Sequence, residues 1–194
     1  EAPTNWSWVE RAAWSTRMLA ALVKGVQGGR WFSLMDKVYA PANQRLKDAG
    51  LASLPGTAAE ILDDEIRAIL CSDKIDTDQW LDAHRAAHGI GLHSNVTIMF
   101  GAVEQPVHWA RHIVRTRDLQ KETGGFTEFV GLPFVHMASP IYLQRTARRG
   151  PTFRENLLMH AVARLAYGEL IPNIQASWVK VGLDGVAQMM RAGC

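Results

Sequence analysis

Residues 124–137, GGFTEFVGLPFVHM, open on two glycines that break the segment before them. Phe126, Phe129 and Val130 then supply β-favouring bulk around one acid, Glu128, and the run closes on Pro133, Phe134, Val135 and His136. A strand buried on both faces reads as a near-continuous apolar run. A carboxylate inside such a run costs several kcal/mol unless it is paired or faces a polar cavity, roughly 2–7 kcal/mol even for a neutral polar group. Two readings fit. Glu128 and His136 are aimed at a site by the strand, or they are an exposed edge-strand acid and a satisfied core histidine.

Working outward, helical and strand-like segments alternate. Residues 5–28 carry Trp14, Met18, Leu22 and Val23 at helical spacing and end on glycines; RWFSLM (30–35) reads as a short strand. Residues 37–49 predict a helix with Leu46 and Ala49 inward, LASL (51–54) a second strand, and HSNVTIMFG (93–101) a third. Between them Thr77 is the expected N-cap of a helix ending at Gly89. Pro106 opens the next helix, and GGFTEFVGLPFVHM is the fourth strand. Pro151 is expected at N1 of a helix with Phe153, Leu157, Leu158, Ala161, Val162 and Leu165 on its inner face. Ile171 to Val181 reads as a fifth strand, with Trp178 packed in the core, and Gly182 to Arg191 as a last helix. Five strand–helix alternations imply an α/β fold with a parallel sheet and right-handed crossovers. An open doubly wound sheet and a (β/α) barrel both fit. No GxGxxG follows a strand, which argues against a dinucleotide site.

The 194 residues are 47% hydrophobic and 21% charged with a net charge of +2, enough for one domain with a real core. No basic block suggests nucleic acid, no apolar run reaches the ~20 residues of a membrane span, and the first residues lack the pattern of a secretory signal. A cytoplasmic protein is expected. Two cysteines, Cys71 and Cys194, form no metal or redox spacing.

Chemistry-bearing residues gather at the expected C-terminal ends of strands: Glu60, Glu104, His136 and Lys180. That is where barrel enzymes place their sites. His84/His88 and His108/His112 have the i, i+4 spacing of a zinc chelate, but neither carries an HExxH acid and both belong to outer helices. No GxSxG elbow is present. Glu60 and Glu128 could serve as paired carboxylates.

TIMFGAVE (97–104) resembles the GxIxGxxE motif of radical S-adenosylmethionine enzymes, with Thr97 and Met99 in place of the first Gly and the Ile. PGTAAEILDDEIRAIL (55–70), HWARHIVRTRDLQKETGGFTEFVGLPFVHMASPIYL (108–143) and RRGPTFRENLLMHAVARL (148–165) leading to IPNIQASWVKVG (171–182) look like the tyrosine-utilising half of the FO synthase family. The resemblance covers about residues 45–193. The segments FVHM and IQASWVK favour this family over its relatives in futalosine-route menaquinone synthesis. It implies a TIM-type barrel of which this chain holds about strands 3 to 7 of eight. It also implies a transferase of coenzyme F-420 biosynthesis joining the 4-hydroxybenzyl part of L-tyrosine to 5-amino-6-(D-ribitylamino)uracil. The implied cofactors are S-adenosyl-L-methionine and a 4Fe-4S cluster, and the implied partner is a second FO synthase subunit or domain. By the same resemblance Glu60 lies near the S-adenosylmethionine ribose, and Thr97, Gly101 and Glu104 belong to the adenine strand. Glu128, His136, Gln175 and Lys180 are expected at the barrel mouth, in contact with substrate.

The sequence departs from this family in places. The cluster motif CxxxCxxC is absent. Residues 1–44 match poorly, with FSLMDKVYA resembling a remnant of the third strand, and residues 45–194 form the matching portion. Ala102 stands where His is usual and Gly131 where Pro is common. The chain is expected to be a fragment, truncated at both ends and inactive alone. A non-catalytic half-barrel that docks on a complementary half is the alternative.

Overall fold

The computed structural model describes residues 39–194. In chain order they form α1 (Ala40–Asp48), β1 (Ser53–Leu54), α2 (Asp64–Leu70), α3 (Thr77–Gly89), β2 (His93–Phe100) and α4 (Pro106–Thr123). Next come β3 (Phe126–Pro133), α5 (Pro140–Leu143), α6 (Phe153–Tyr167), β4 (Asn173–Ala176) and α7 (Trp178–Ala192). The four strands make one parallel sheet in the order β1-β2-β3-β4. Crossovers of one hand with no reversal of strand order place the described helices that connect the strands on one face. The core bears this out: Val96, Ile98, Phe129 and Ile174 from the strands join Trp80, Ile113 and Tyr167 from the helices. A doubly wound sheet would reverse its order and cover both faces. This chain therefore folds as an arc of a (β/α) barrel.

Alternation along β2 sends Ser94, Val96, Ile98 and Phe100 into the helix layer, all fully buried. Burying a side chain the size of Ile98 or Phe100 stabilises by about 1.5–3 kcal/mol. Asn95, Thr97 and Met99 face the other way. β3 adds an irregularity: Ser94 pairs with Phe126 but Val96 with Phe129, two steps on β2 against three on β3. The bulge turns both Phe126 and Phe129 toward the helices and leaves Glu128 on the opposite face. An acid inside a buried strand is thus accommodated by a local change of register.

Several expectations fall outside the described residues: the helix over 5–28, the strand RWFSLM and most of the poorly matching segment. Others are corrected. The strand opened by Gly124 ends at Pro133, so His136 lies in the loop beyond it. The last strand covers Asn173–Ala176, and Trp178 and Lys180 begin α7, which kinks at Gly182. Trp178 is not a core residue: it is 63% exposed. In α1 the buried residue is Asn43, and Ala49 is exposed. Asp76, not Thr77, caps α3, accepting the Gln79 N–H at 2.8 Å. Thr152, not Pro151, marks the start of α6, in a capping box with Glu155. The inner face of α6 is Asn156, Met159, His160, Ala163 and Tyr167, while Phe153, Leu158, Val162 and Leu165 are exposed. Apolar residues nearly encircle that helix, so periodicity could not pick the face.

Candidate functional site

A row of polar groups crosses the face of the sheet that carries none of the described helices. The Pro55-Gly56 turn after β1 lies on β2. The Gly56 N–H donates to Asn95 Oδ1 at 2.6 Å, and Thr97 Oγ1 donates to the Gly56 carbonyl at 2.7 Å. Asn95 Nδ2 donates to Glu128 Oε1 at 3.2 Å, and Gln175 Nε2 donates to Glu128 Oε2. Three strands and a turn are thereby linked through side chains, ending on one carboxylate. Close approach of the turn requires glycine, because a Cβ on residue 56 would lie 1.9 Å from the Asn95 carbonyl oxygen. Gly56→Ala is expected to cost about 1–3 kcal/mol as the backbone shifts. An unchanged urea midpoint in that variant would show that the turn does not depend on this contact.

Nearer the C-terminal ends of the strands, Lys74 and Glu60 form an ion pair at 2.5 Å, and Lys180 Nζ donates to the Pro133 carbonyl at 2.9 Å. Burial depresses the Lys180 pKa, against the opposing pull of Glu60, so the two groups sense one another. Glu60 and Ala58 both have left-handed backbone, with φ of 42° and 73°. Arg67 of α2 holds this loop: its buried guanidinium donates to the carbonyls of Ala58, Ala59, Ile61 and Ile75. The Met99 N–H donates to the Glu60 carbonyl at 2.7 Å, tying the loop to β2.

Glu104 and Gly101 meet, but around each other. The buried Glu104 carboxylate accepts N–H bonds from Gly101, Ala102 (3.0 Å) and Val103 (3.0 Å), and from the Trp109 indole at 2.8 Å. It shapes the turn that ends β2. Gly101 has φ +97°, and a Cβ there would lie 2.2 Å from Pro151, so the backbone that approaches it is the chain's own. His136 stands apart, its ring packed edge-on at 4.6 Å from Tyr142.

The paired histidines are structural. His84 Nδ1 and His88 Nε2 both hydrogen-bond the Ser94 hydroxyl, at 2.9 and 2.7 Å, and His88 Nδ1 reaches Thr123 Oγ1 at 2.6 Å. His112 Nδ1 accepts the Leu62 N–H at 3.0 Å, and His108 Nδ1 accepts the Gln105 N–H at 2.9 Å. Asp63, Glu65 and His108 bring ligand atoms within 4.8 Å of one another. Arg111 already supplies a positive charge there, 2.9 Å from Asp63. Burial alone would raise the Asp63 pKa, but the Arg111 hydrogen bond and the charges of His108, Arg111 and Arg115 bring it below the usual value. The cysteines do not fit an iron–sulfur cluster. Cys71 is buried beside α2, and burial pushes its thiol pKa up over the pull of Arg67 and Lys74. Cys194 packs against the core, where burial raises its pKa too. Two separated, protonated thiols are a poor donor set for a cluster that needs thiolates.

Of the expected site residues, the fold brings Glu128 and Gln175 into contact, places Thr97 beside them, and sets Glu60 and Lys180 within electrostatic reach. Gly101 follows the Phe100–Pro133 pair at the end of β2 and is bound up with Glu104 in its own turn, and His136 lies in the loop beyond β3. Sequence reasoning missed Asn95, which links the turn to Glu128, and Lys74, which pairs Glu60. Asn95 had a signal: it sits two residues before Thr97 in a strand, on the same face. Lys74 follows α2 in a loop and had none.

No protein-family model matches the chain. Similar curated proteins are FO synthase of Streptomyces avermitilis, 52% identical over 147 residues (76% of this chain, 17% of that protein). FO synthase of Mycobacterium tuberculosis is 49% identical over 148 residues, with the same shares. The 5-amino-6-(D-ribitylamino)uracil--L-tyrosine 4-hydroxyphenyl transferase of Methanopyrus kandleri is 49% identical over 150 residues, 77% of this chain and 41% of that protein. The chain thus spans less than half the length of these relatives.

Proposed function

We infer, on the premise that about three quarters of this chain is a segment of the FO synthase family, that it serves FO formation in coenzyme F-420 biosynthesis. It contributes the substrate-facing arc of a transferase that joins the 4-hydroxybenzyl group of L-tyrosine to 5-amino-6-(D-ribitylamino)uracil. The observation that carries this reading is the Asn95–Glu128–Gln175 row. It is a preorganised polar patch on the barrel-interior face, within a segment shared with proteins so named. Saturable binding of both substrates to the purified chain is the expected result in isothermal titration. Binding of neither would sink the reading.

S-adenosyl-L-methionine and a 4Fe-4S cluster would supply radical chemistry to the whole protein, as the family resemblance implies. Among the residues the resemblance assigns to S-adenosylmethionine, Glu60 pairs with Lys74 through Oε1 alone, leaving Oε2 for a ribose hydroxyl. Thr97 and Glu104 spend their bonds inside the chain, so they would shape a wall rather than contact the ligand. No cluster is assigned to this chain's own cysteines. Anaerobic reconstitution with iron and sulfide is expected to leave essentially no bound iron, and recovery of about four irons per chain would overturn that assignment.

The runner-up, a non-catalytic part that docks on a complementary half-barrel, draws support from α7. Beyond its kink Leu183 and Met190, seven residues apart on one side of the helix, are 76% and 64% exposed, and Val179 before the kink is 75% exposed, apolar surface that invites a covering element.

A further inference from the structure

We propose that the Asn95–Glu128–Gln175 row is a subsite for the hydroxyls of a polyol chain, with Asn95 as its positioning residue. This rests on the functional reading above and assigns one part of one substrate to one patch.

The argument starts from hydrogen-bond direction. The Gly56 N–H can only donate, so the atom of Asn95 facing it is the oxygen. The amide nitrogen must then face Glu128, which fixes the orientation of that side chain without ambiguity. Gln175 likewise presents its nitrogen to Glu128, which leaves its oxygen turned away. Each carboxylate oxygen of Glu128 thus receives one amide donor, and a carboxylate has about four acceptor positions. What remains for a ligand is the unused lone pairs of Glu128, the Gln175 oxygen and the second N–H of each amide. Such a patch selects a ligand that brings several donors at short spacing.

Two ligand chemistries satisfy that demand, an ammonium and a run of hydroxyls. Charge placement decides between them. No lysine or arginine among the described residues is paired with Glu128. The cations of this face, Lys180 and Lys74, gather where Lys180 reaches Pro133. Glu128 and Pro133 are five residues apart on one strand, about 16 Å of extended backbone. An α-amino acid carries its ammonium and carboxylate on one carbon and cannot span that interval. The lysine end therefore suits the carboxylate-bearing substrate, and the Glu128 end suits a neutral, hydroxyl-rich one. Among the two proposed substrates the ribityl chain has that chemistry, and adjacent hydroxyls can donate together to Glu128 and to the Gln175 oxygen.

Isothermal titration of the full purified chain tests this with three ligands: 5-amino-6-(D-ribitylamino)uracil, 5,6-diaminouracil (the same ring without the chain) and L-tyrosine. Wild type is compared with Glu128→Gln and Asn95→Ala, each checked by thermal melting. Wild type is expected to bind the ribityl compound more tightly than 5,6-diaminouracil. Glu128→Gln is expected to weaken the ribityl compound roughly tenfold, and Asn95→Ala roughly threefold or more. Neither variant should change the affinity for 5,6-diaminouracil or L-tyrosine. Equal losses for both uracils would mark the row as merely structural, and no loss at all would remove it from the site; either overturns the inference while the functional reading stands. Wild type that binds none of the three ligands overturns both. Glu128→Gln keeps the shape of the side chain, so a folding failure of Asn95→Ala leaves the selectivity test intact.

Discussion

Arg67→Met is expected to lower the stability of the chain by about 3–5 kcal/mol, because several buried carbonyls lose their donor at about 1–3 kcal/mol each. The guanidinium is 3% exposed and donates to four carbonyls, three of them in the loop Ala58–Ile61. That loop holds Ala58 and Glu60 in left-handed backbone, a conformation costing of order 1–3 kcal/mol per residue where nothing compels it. Methionine fills the volume but leaves the carbonyls without donors, each orphan costing about 1–3 kcal/mol. Natural domains are stable by only about 5–15 kcal/mol, so the loss is a large fraction of the total. Arg67→Lys keeps the charge but lacks the planar fork, and is expected to recover only part of the difference. Urea unfolding followed by circular dichroism reads both variants. A midpoint for Arg67→Met within error of wild type would show that the loop does not hang on this side chain. Because the same loop carries Glu60, Arg67 also sets where that acid stands, although it touches no proposed ligand site itself.

The second large effect is acid destabilisation by buried histidines. His84 and His112 are buried, and burial pulls each pKa down from 6.5 to about 3, with help from His88 in the first case and from Arg67 and Arg115 in the second. His88 is pulled to about 4 by burial and by His93. In the unfolded chain these groups protonate near 6.5. Above that value both states are neutral and the histidines add no pH dependence. Below it the unfolded state takes up protons that the folded state refuses, so stability falls as pH drops from about 6.5 toward 4–3. Each fully buried histidine contributes about 1.4 kcal/mol per pH unit, roughly 3 kcal/mol per unit for the two, with a smaller addition from the half-buried His88. The geometry gives the same sign. His112 Nδ1 accepts the Leu62 N–H, and a proton on that nitrogen would set two donors against each other. Urea midpoints at pH 7.5, 6.5, 5.5 and 4.5 should be level over the first pair and fall steeply after it. His112→Asn, whose side-chain oxygen can accept the same N–H, should flatten the fall by about one proton. A midpoint independent of pH down to 4.5 would refute the assignment.

Much of the architecture was legible because it depends on long apolar patterns. HSNVTIMF shows period-two alternation and PVHWARHIVRTRDLQKET a helical stripe, and both elements stand as expected. The choice of a barrel arc over an open sheet came from the family resemblance and not from the pattern of elements, since strand order is a long-range property. Glu128 was singled out for a sound reason, but the bulge that makes room for it depends on pairing with β2 and leaves no trace in GGFTEFV. The α6 face and the place of Trp178 were misread for one cause. Where a helix is apolar on several sides, or a polar-to-apolar run could be strand or helix, local pattern does not say which side meets the core. In the site, Gln175 and Glu128 were picked separately, and their contact follows from the register of β3 and β4. Asn95 was passed over because an asparagine in a strand carries no charge to draw notice.

The unreversed strand order has a consequence for how the chain acquires its shape. Each strand pairs only with the next one along the sequence, so every long-range contact in the sheet closes a loop of similar, moderate length. Loop-closure entropy rises only slowly with length, so no single pairing is a dominant barrier. The arc can grow one unit at a time as the chain leaves the ribosome, each new strand finding its template already laid down.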